Sequence, residues 1–313
     1  MKSIIIWIGA FWFAIINHLA KNNPDKTFFA YEKDIYILDS LKKTGENPYF
    51  FPWIKLPQNI EFLTNLNSLS EFDLVIIAIP AQFISSFISE IKNNLKLWVT
   101  ILNLSKWIDN KSLKTVSDIL KSELILLKYN YAILSWWMIA KELIEENILW
   151  ADIWCENLNI WKQLKIIFEN KNLKVNISKN YKNIEIIWSL KNIFAMQIWY
   201  LEGKKFWMSS IWYYFCEIFK ELPKLIEKLW GDKNIDFKEF ALWWDIIATC
   251  FWNSRNRYFW KLVWEGKTVK DALEILKLEK KHAEWYETLK WISKIIKESD
   301  LKEFKKIVQI FIS

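Results

Sequence analysis

Along the first half of the chain, short apolar runs alternate with stretches of helical period. Residues 3–8 read as a buried strand and 11–21 as a helix, then 27–31 as a second strand and 34–43 as a second helix. A loop with proline and asparagine follows over 45–59. The run LVIIAI at 74–79 is continuously apolar and stops at Pro80, as a central parallel strand buried on both faces does. Residues 82–95 read as a helix, and 99–104 and 131–134 as further strands. From about residue 180 the pattern changes. Amphipathic helical stretches dominate, at 190–201, 209–229, 236–250, 268–276 and 283–297, and no strand alternation stands out. The expected class is α/β: a doubly wound parallel sheet over 1–179, then an all-α domain over 180–313. A chain of 313 residues is long enough for two such cores.

Two counts disturb this ordinary picture. Glycine occurs 5 times and tryptophan 22 times, whereas glycine averages about 7% of residues. The surplus of one matches the deficit of the other. Several tryptophans also stand where a chain turns: Trp53 follows Pro52, Trp230 precedes Gly231-Asp232, and Trp136-Trp137 and Trp243-Trp244 are adjacent pairs. Turns and helix stops often need φ > 0, which glycine adopts freely and tryptophan does not. The expectation is that UGA codons have been written as tryptophan where the organism reads glycine. The plain alternative is a protein truly rich in tryptophan, so each tryptophan has two readings.

The formal charge is +7, a balance that can mark nucleic-acid binding. Here the cations are nearly all lysine and are interspersed with Glu, Asp and Asn, which reads as a solvated surface. No nucleic-acid partner is expected. Cys155, Cys216 and Cys250 are odd in number and far apart, without zinc or disulfide spacing, so reduced cytosolic thiols are expected. His18 and His282 stand alone, and no metal site is read. Met1-Lys2 and the apolar run after it imitate a leader, but no small-residue cleavage site follows and the run is too short to span a bilayer. A cytoplasmic protein without membrane insertion is expected.

Four segments carry candidate chemistry. Ile6-Trp7-Ile8-Gly9-Ala10-Phe11-Trp12 follows the first strand and opens the first helix. With glycine at 7 and 12 it reads GIGAFG, a dinucleotide fingerprint in its required place. The first glycine makes the tight turn, the second lets backbone approach the pyrophosphate, and the third allows close helix–strand packing. The helix N-terminus then holds the anion, and the sheet domain becomes a Rossmann-type dinucleotide-binding domain. As printed, Trp7 would block the turn and Trp12 the packing. At the end of the second strand, Glu32 would accept the ribose 2′-OH of NAD and Lys33 would suit the 2′-phosphate of NADP, so both cofactors stay open. The two arginines among 43 basic residues stand together in Asn253-Ser254-Arg255-Asn256-Arg257. Where lysine serves everywhere else, this points to a need for the guanidinium fork, which binds phosphate bidentately; a structural buried salt bridge is the alternative. Finally, Lys191 in Trp188-Ser189-Leu190-Lys191-Asn192 interrupts an apolar helical run. A buried amine is costly unless it works, and burial suits it to acid–base chemistry at a carbonyl. A lysine that snorkels to solvent fits the same pattern.

Together these segments resemble the bacterial NAD(P)-dependent glycerol-3-phosphate dehydrogenases over nearly the whole chain. GIGAFG is similar to the family's G-x-G-x-[WF]-G. Pro52 to Pro57 reads PGIKLP, Ala78-Ile79-Pro80 is similar to A-[VI]-P at a strand end, and Ser105-Lys106-Trp107-Ile108 reads SKGI. Ser135 to Ala140 corresponds to S-G-P-S-F-A. Trp188 to Asn192 reads GSLKN against G-A-L-K-N, and Leu242 to Cys250 reads LGGDIIATC against G-L-G-D-L-x-x-T-C. Ser254 to Trp260 reads SRNRYFG, and Ala283-Glu284-Trp285 reads AEG against V-E-G. Nearly every family glycine falls on a printed tryptophan.

The resemblance implies an oxidoreductase that reduces dihydroxyacetone phosphate to sn-glycerol 3-phosphate with hydride from NAD(P)H, for glycerophospholipid synthesis, and a homodimer. It implies that Lys191 is the general acid at the substrate carbonyl and the base in reverse. Lys106 would contact substrate and hold the developing oxyanion in a positive field. Asp245 and Thr249, four apart and so on one helix face, would orient Lys191 and the substrate hydroxyl. Ser254, Arg255 and Asn256 would hold the phosphate, with Trp136 and Asn192 beside the substrate. The cofactor would lie along Trp7, Gly9, Phe11, Trp12, Lys33, Pro80, Lys106, Ala140, Arg255 and Glu284. One departure stands out: the family's Pro-Ser is Trp137-Met138 here, which removes a hydroxyl near the substrate. Two alternatives remain. One is another Rossmann reductase acting on a different hydroxy acid. The other, if Trp7, Trp12 and Trp107 are true tryptophans, is a catalytically dead nucleotide-binding module.

Overall fold

The computed structural model describes residues 1–7, 9–105, 114–137, 139–235, 240–251, 255–278 and 284–312, with backbone alone at 81, 136–137, 240–244, 255–256 and 284–287. The chain separates into two compact units, one over Met1–Lys106 and Lys114–Tyr181, the other over Lys182–Ser313.

The first unit is built on one eight-stranded sheet. Its strands are β1 (Ser3–Ile6), β2 (Phe28–Tyr31), β3 (Ile60–Leu63), β4 (Leu74–Ile77), β5 (Val99–Asn103), β6 (Tyr129–Trp137), β7 (Leu149–Cys155) and β8 (Leu173–Ile177), in the spatial order 3-2-1-4-5-6-7-8. The helices between them are α1 (Ala10–Asn22), α2 (Ile35–Thr44), α3 (Ala81–Ile91), α4 (Val116–Glu123), α5 (Ala140–Ile144) and α6 (Leu158–Phe168). β1 and β4 lie side by side at the centre, with Ile5 paired to Ala30 on one side and Ile76 on the other. All four residues of each are buried, which is what an unbroken apolar run achieves only when helices cover both faces. Strand order reverses between β1 and β4. The crossover through α1 therefore runs away from the one through α3, and the carboxyl ends of the strands open a crevice at that point.

The sheet departs from the sequence expectation in three ways. β1 stops at Ile6 because Trp7 adopts φ 75°, which ends extended pairing. β7 runs antiparallel to β6, with Ala132 opposite Cys155 and Trp137 opposite Trp150, before β8 returns parallel. Strands β3, β7 and β8 were not expected. β8 buries only Leu173 and Val175, a period of two over five residues in a lysine- and asparagine-rich stretch.

The second unit contains α7 (Tyr181–Gly203), α8 (Met208–Lys228), α9 (Phe240–Phe251), α10 (Arg255–Trp264), α11 (Val269–Leu278), α12 (Glu284–Lys297) and α13 (Lys302–Phe311). Of these, α10 and α13 were not foreseen, and α7 starts nine residues before the expected 190. Every residue from 183 to 199 on α7 is buried. A helix that is covered all round must be the core of its unit. Leu190, Phe194 and Ile198 of α7 join Phe215, Ile218 and Leu222 of α8 and Phe304, Ile307 and Phe311 of α13 in one apolar cluster.

Candidate functional site

At the carboxyl edge of the sheet, the turn after β1 is tied down by backbone. The Trp7 N–H donates to the Tyr31 carbonyl at 2.7 Å, which joins the turn to the end of β2, and the Trp7 ring stacks on Phe83 at 6.2 Å. Gly9 is the N-cap of α1, and no side chain caps that end. The N-terminus of a 13-residue helix suits an anion. A Cβ on Gly9 would stand 3.4 Å from the Trp12 ring, so the indole lies against the backbone the fingerprint would expose. Phe11 packs edge-on against Trp12. The Glu32 side chain is buried and accepts the Asp34 N–H at 2.9 Å, while Lys33 is exposed. Burial first, then the carboxylates of Glu90 and Glu32, push the Tyr31 phenol above its usual range. Pro80 caps α3 after β4. Asn103 at the end of β5 accepts the Ser105 N–H at 2.8 Å, and Ala140 opens α5. Trp136 lies in β6 opposite Ala151. Lys106 and Met138 fall outside the described residues.

In the helical unit, the ammonium of Lys191 on α7 donates to both carboxylate oxygens of Asp245 on α9, at 2.5 Å to Oδ1. The residues are 7% and 6% exposed. Such a pair is held because either charge alone in this apolar surround would be far more costly than the two together. Thr249 stands one turn further along α9 and is half-buried, and Asn192 is buried beside Lys191 in the chain. The arginines divide. Arg257 donates to Glu202 at the end of α7 at 2.9 Å, the salt-bridge alternative. Burial raises the Glu202 carboxyl pKa, against the pull of Arg257. Arg255 and Asn256 open α10, and Glu284 opens α12, with side chains outside the described set; Ser254 falls wholly outside it.

Two paired polar side chains of α7 escaped the sequence reading. Glu202 is one. The other is Asn183, whose amide donates to the Asp232 carbonyl and accepts the Asp232 N–H, each at 2.8 Å. The available signal was a polar residue inside an otherwise apolar helix, the pattern that singled out Lys191. Elsewhere, His18 is a structural residue: its Nε2 lies 2.6 Å from the Phe168 carbonyl, and burial lowers its pKa. The three cysteines are free. Among the described residues, no cluster of His, Cys, Asp or Glu could hold a metal ion, and no helix is long and apolar enough to cross a membrane.

Known proteins match this architecture along its length. The model of the NAD-dependent glycerol-3-phosphate dehydrogenase N-terminus matches residues 4–160, and that of the C-terminus matches 180–312. A glycerol-3-phosphate dehydrogenase [NAD(P)+] of Fusobacterium nucleatum is 26% identical over 276 residues, which are 88% of this chain and 82% of the relative. One from Rickettsia prowazekii is 27% identical over 297 residues, 94% of this chain and 92% of the relative. The solved glycerol-3-phosphate dehydrogenase of Plasmodium falciparum superposes with a TM-score of 0.88 at 20% identity, covering 99% of this chain and 91% of that one. That of Saccharomyces cerevisiae superposes at 0.85 and 20%, covering 99% and 95%. At such identities the two structures speak for the fold. The family models, which together take up most of the chain, speak for descent: this chain belongs to the NAD-dependent glycerol-3-phosphate dehydrogenase family.

Proposed function

We propose that the chain interconverts dihydroxyacetone phosphate and sn-glycerol 3-phosphate, with Lys191 as the proton donor and acceptor. The observation that carries this reading is the buried Lys191–Asp245 pair. An ammonium has three donors, and Asp245 takes two of them, which leaves one N–H for a carbonyl oxygen. Asp245 fixes the direction of that N–H and stabilises the charge, and the apolar surround keeps water from competing. The bound nicotinamide supplies or takes up the hydride. As the carbonyl becomes an alcohol, Lys191 gives up its proton; in reverse it removes one. With Arg257 engaged by Glu202, Arg255 is the guanidinium left for the substrate phosphate, with Ser254 and Asn256, and the family resemblance gives Lys106 the oxyanion.

The nucleotide belongs at the carboxyl edge of the sheet, on Trp7, Gly9, Phe11, Trp12 and Pro80. The uncapped α1 N-terminus fits a pyrophosphate; the Trp12 indole against Gly9 does not. Buried Glu32 just after β2, with Lys33 exposed, favours a ribose 2′-OH over a 2′-phosphate and hence NADH over NADPH. A homodimer, a cytoplasmic setting and a supply of glycerol phosphate to phospholipid synthesis belong to the same reading.

The test follows NADH and NADPH oxidation with dihydroxyacetone phosphate in the parent enzyme and in Lys191→Arg. The guanidinium keeps the charge and the Asp245 pair but does not release a proton. A loss of roughly 10²–10⁴ in kcat is expected. An unchanged rate removes Lys191 from the chemistry, and turnover of 2-keto acids alone supports the other hydroxy-acid reductase.

A further inference from the structure

Three features of individual tryptophans bear on whether the side chain belongs there. The first is backbone conformation. Six described residues other than glycine have φ between 53° and 75°, and three are tryptophan: Trp7 at 75°, Trp98 at 62° and Trp230 at 62°. Tryptophan supplies 22 of 313 positions, so this share is far above its frequency. In the left-handed region Cβ crowds the following carbonyl for every residue except glycine. The second feature is exposure. Trp207 is 85% exposed, Trp230 76% and Trp53 69%, although an indole is among the largest apolar surfaces a chain can bury. The third is polarity. The indole N–H groups of Trp161 and Trp264 are buried with no acceptor among the described residues, whereas a buried indole usually finds one. Trp264 also presses on Gly203 so closely that a Cβ there would stand 2.2 Å from its ring. At 7, 98 and 230 the backbone conformation is one that glycine adopts freely and tryptophan does not.

We infer that glycine stands at positions 7, 98 and 230 of the working protein; position 12 follows from the spacing of the fingerprint, and with glycine at both 7 and 12 the β1–α1 turn has the form of the family's dinucleotide cradle. Glycine at 7 occupies φ 75° without steric cost and leaves the 2.7 Å bond to Tyr31 intact, since that bond is made by backbone. Glycine at 12 removes the indole from Gly9 and exposes the uncapped N–H groups of α1 to a pyrophosphate. At 230, glycine serves as the left-handed stop after α8, where the backbone N–H bonds back to Glu227. A UGA codon read as glycine by the cell and written as tryptophan in the sequence accounts for all four at once. The inference goes beyond the reaction proposed above, and it does not depend on which substrate is turned over.

The test is mass spectrometry of the protein isolated from its own cells and cleaved after lysine. Peptide 3–21 contains positions 7 and 12, peptide 97–106 contains position 98, and peptide 229–233 contains position 230. The first is expected lighter than the printed sequence by two tryptophan-to-glycine differences, and the other two by one each. Printed masses overturn the inference, and a printed mass in peptide 3–21 alone overturns the cradle. A second measurement titrates NADH calorimetrically into the recombinant chain carrying tryptophan or glycine at 7 and 12. Binding at least tenfold tighter with glycine is expected, and equal binding overturns the cradle. Light peptides and tight NADH binding without turnover of dihydroxyacetone phosphate would leave this inference standing and remove the reaction assignment.

Discussion

Trp7, Pro80 and Ser105 each stand within three residues of the end of a parallel strand, whereas Lys191, Asn192 and Glu202 lie inside one 23-residue helix. Strand ends offer backbone: a helix N-terminus with no side-chain cap and a turn tied by its own N–H to a carbonyl. A helix interior has already spent its backbone on its own hydrogen bonds, so only side chains remain to do chemistry, and each buried polar one needs a partner. Lys191 has Asp245, Glu202 has Arg257, and Asn183 has the Asp232 backbone. The sheet unit therefore depends on conformation at its candidate site, and the helical unit depends on complementary pairs.

That contrast breaks first at Asp245. Asp245→Leu leaves a buried ammonium alone and is expected to lower stability by about 3–5 kcal/mol, measured by urea unfolding. Adding Lys191→Met should recover most of that loss without recovering activity. A neutral single variant would show that pairing does not govern the helical unit. At the strand ends the expected effects are smaller. Glu32→Ala should erase the proposed preference for NADH over NADPH, a change of roughly tenfold in relative Kd or about 1.4 kcal/mol, read by titrating both nucleotides; an unchanged ratio takes Glu32 out of specificity. Trp98→Gly and Trp230→Gly should each stabilise the recombinant chain as printed by about 1 kcal/mol, because each relieves a left-handed tryptophan; thermal melting decides, and a loss would mean the indoles are needed. His18 is a buried titratable group inside a helix of the sheet unit, and it sharpens the comparison most gently. Its folded pKa lies below the ordinary 6.5 because burial disfavours the cation. Below pH 6.5 the unfolded chain takes up a proton that the folded chain refuses, so stability present above that pH is lost as pH falls toward the folded value. His18→Gln should flatten this slope, read by urea unfolding at pH values on either side of 6.5, and an unchanged slope takes His18 out of it.

The elements that were legible in the sequence are those in which one force dominates. β1, β4 and β5 are buried on both faces and show as plain apolar runs. The change at about 180 was visible because the period of the pattern changes there. β7 was hidden because Asp152 is buried within it, which breaks the apolar run that a sheet-centre strand would show, and the reversal of β7 against β6 is a property of pairing that no single strand carries. Lys191 stood out as a charge in an apolar helix. Its partner Asp245 came from the family motif, since a separation of 54 positions leaves no local trace. Glu202 and Asn183 were passed over because one polar residue in a helix looks like a solvated face until its neighbours are known.

Asn183, Lys191 and Glu202 meet Asp232, Asp245 and Arg257 in that order, so successive later segments are read off one rod. Adding or deleting a single residue between 191 and 202 would swing one anchor about 100° around the axis relative to the other, and one of the two pairs would be lost. The loop over 45–59 carries no such constraint, and lengthening it costs little. Changes in length among descendants of this chain are thus expected in its loops, and the spacing of the three anchors on α7 is expected to be inherited unaltered.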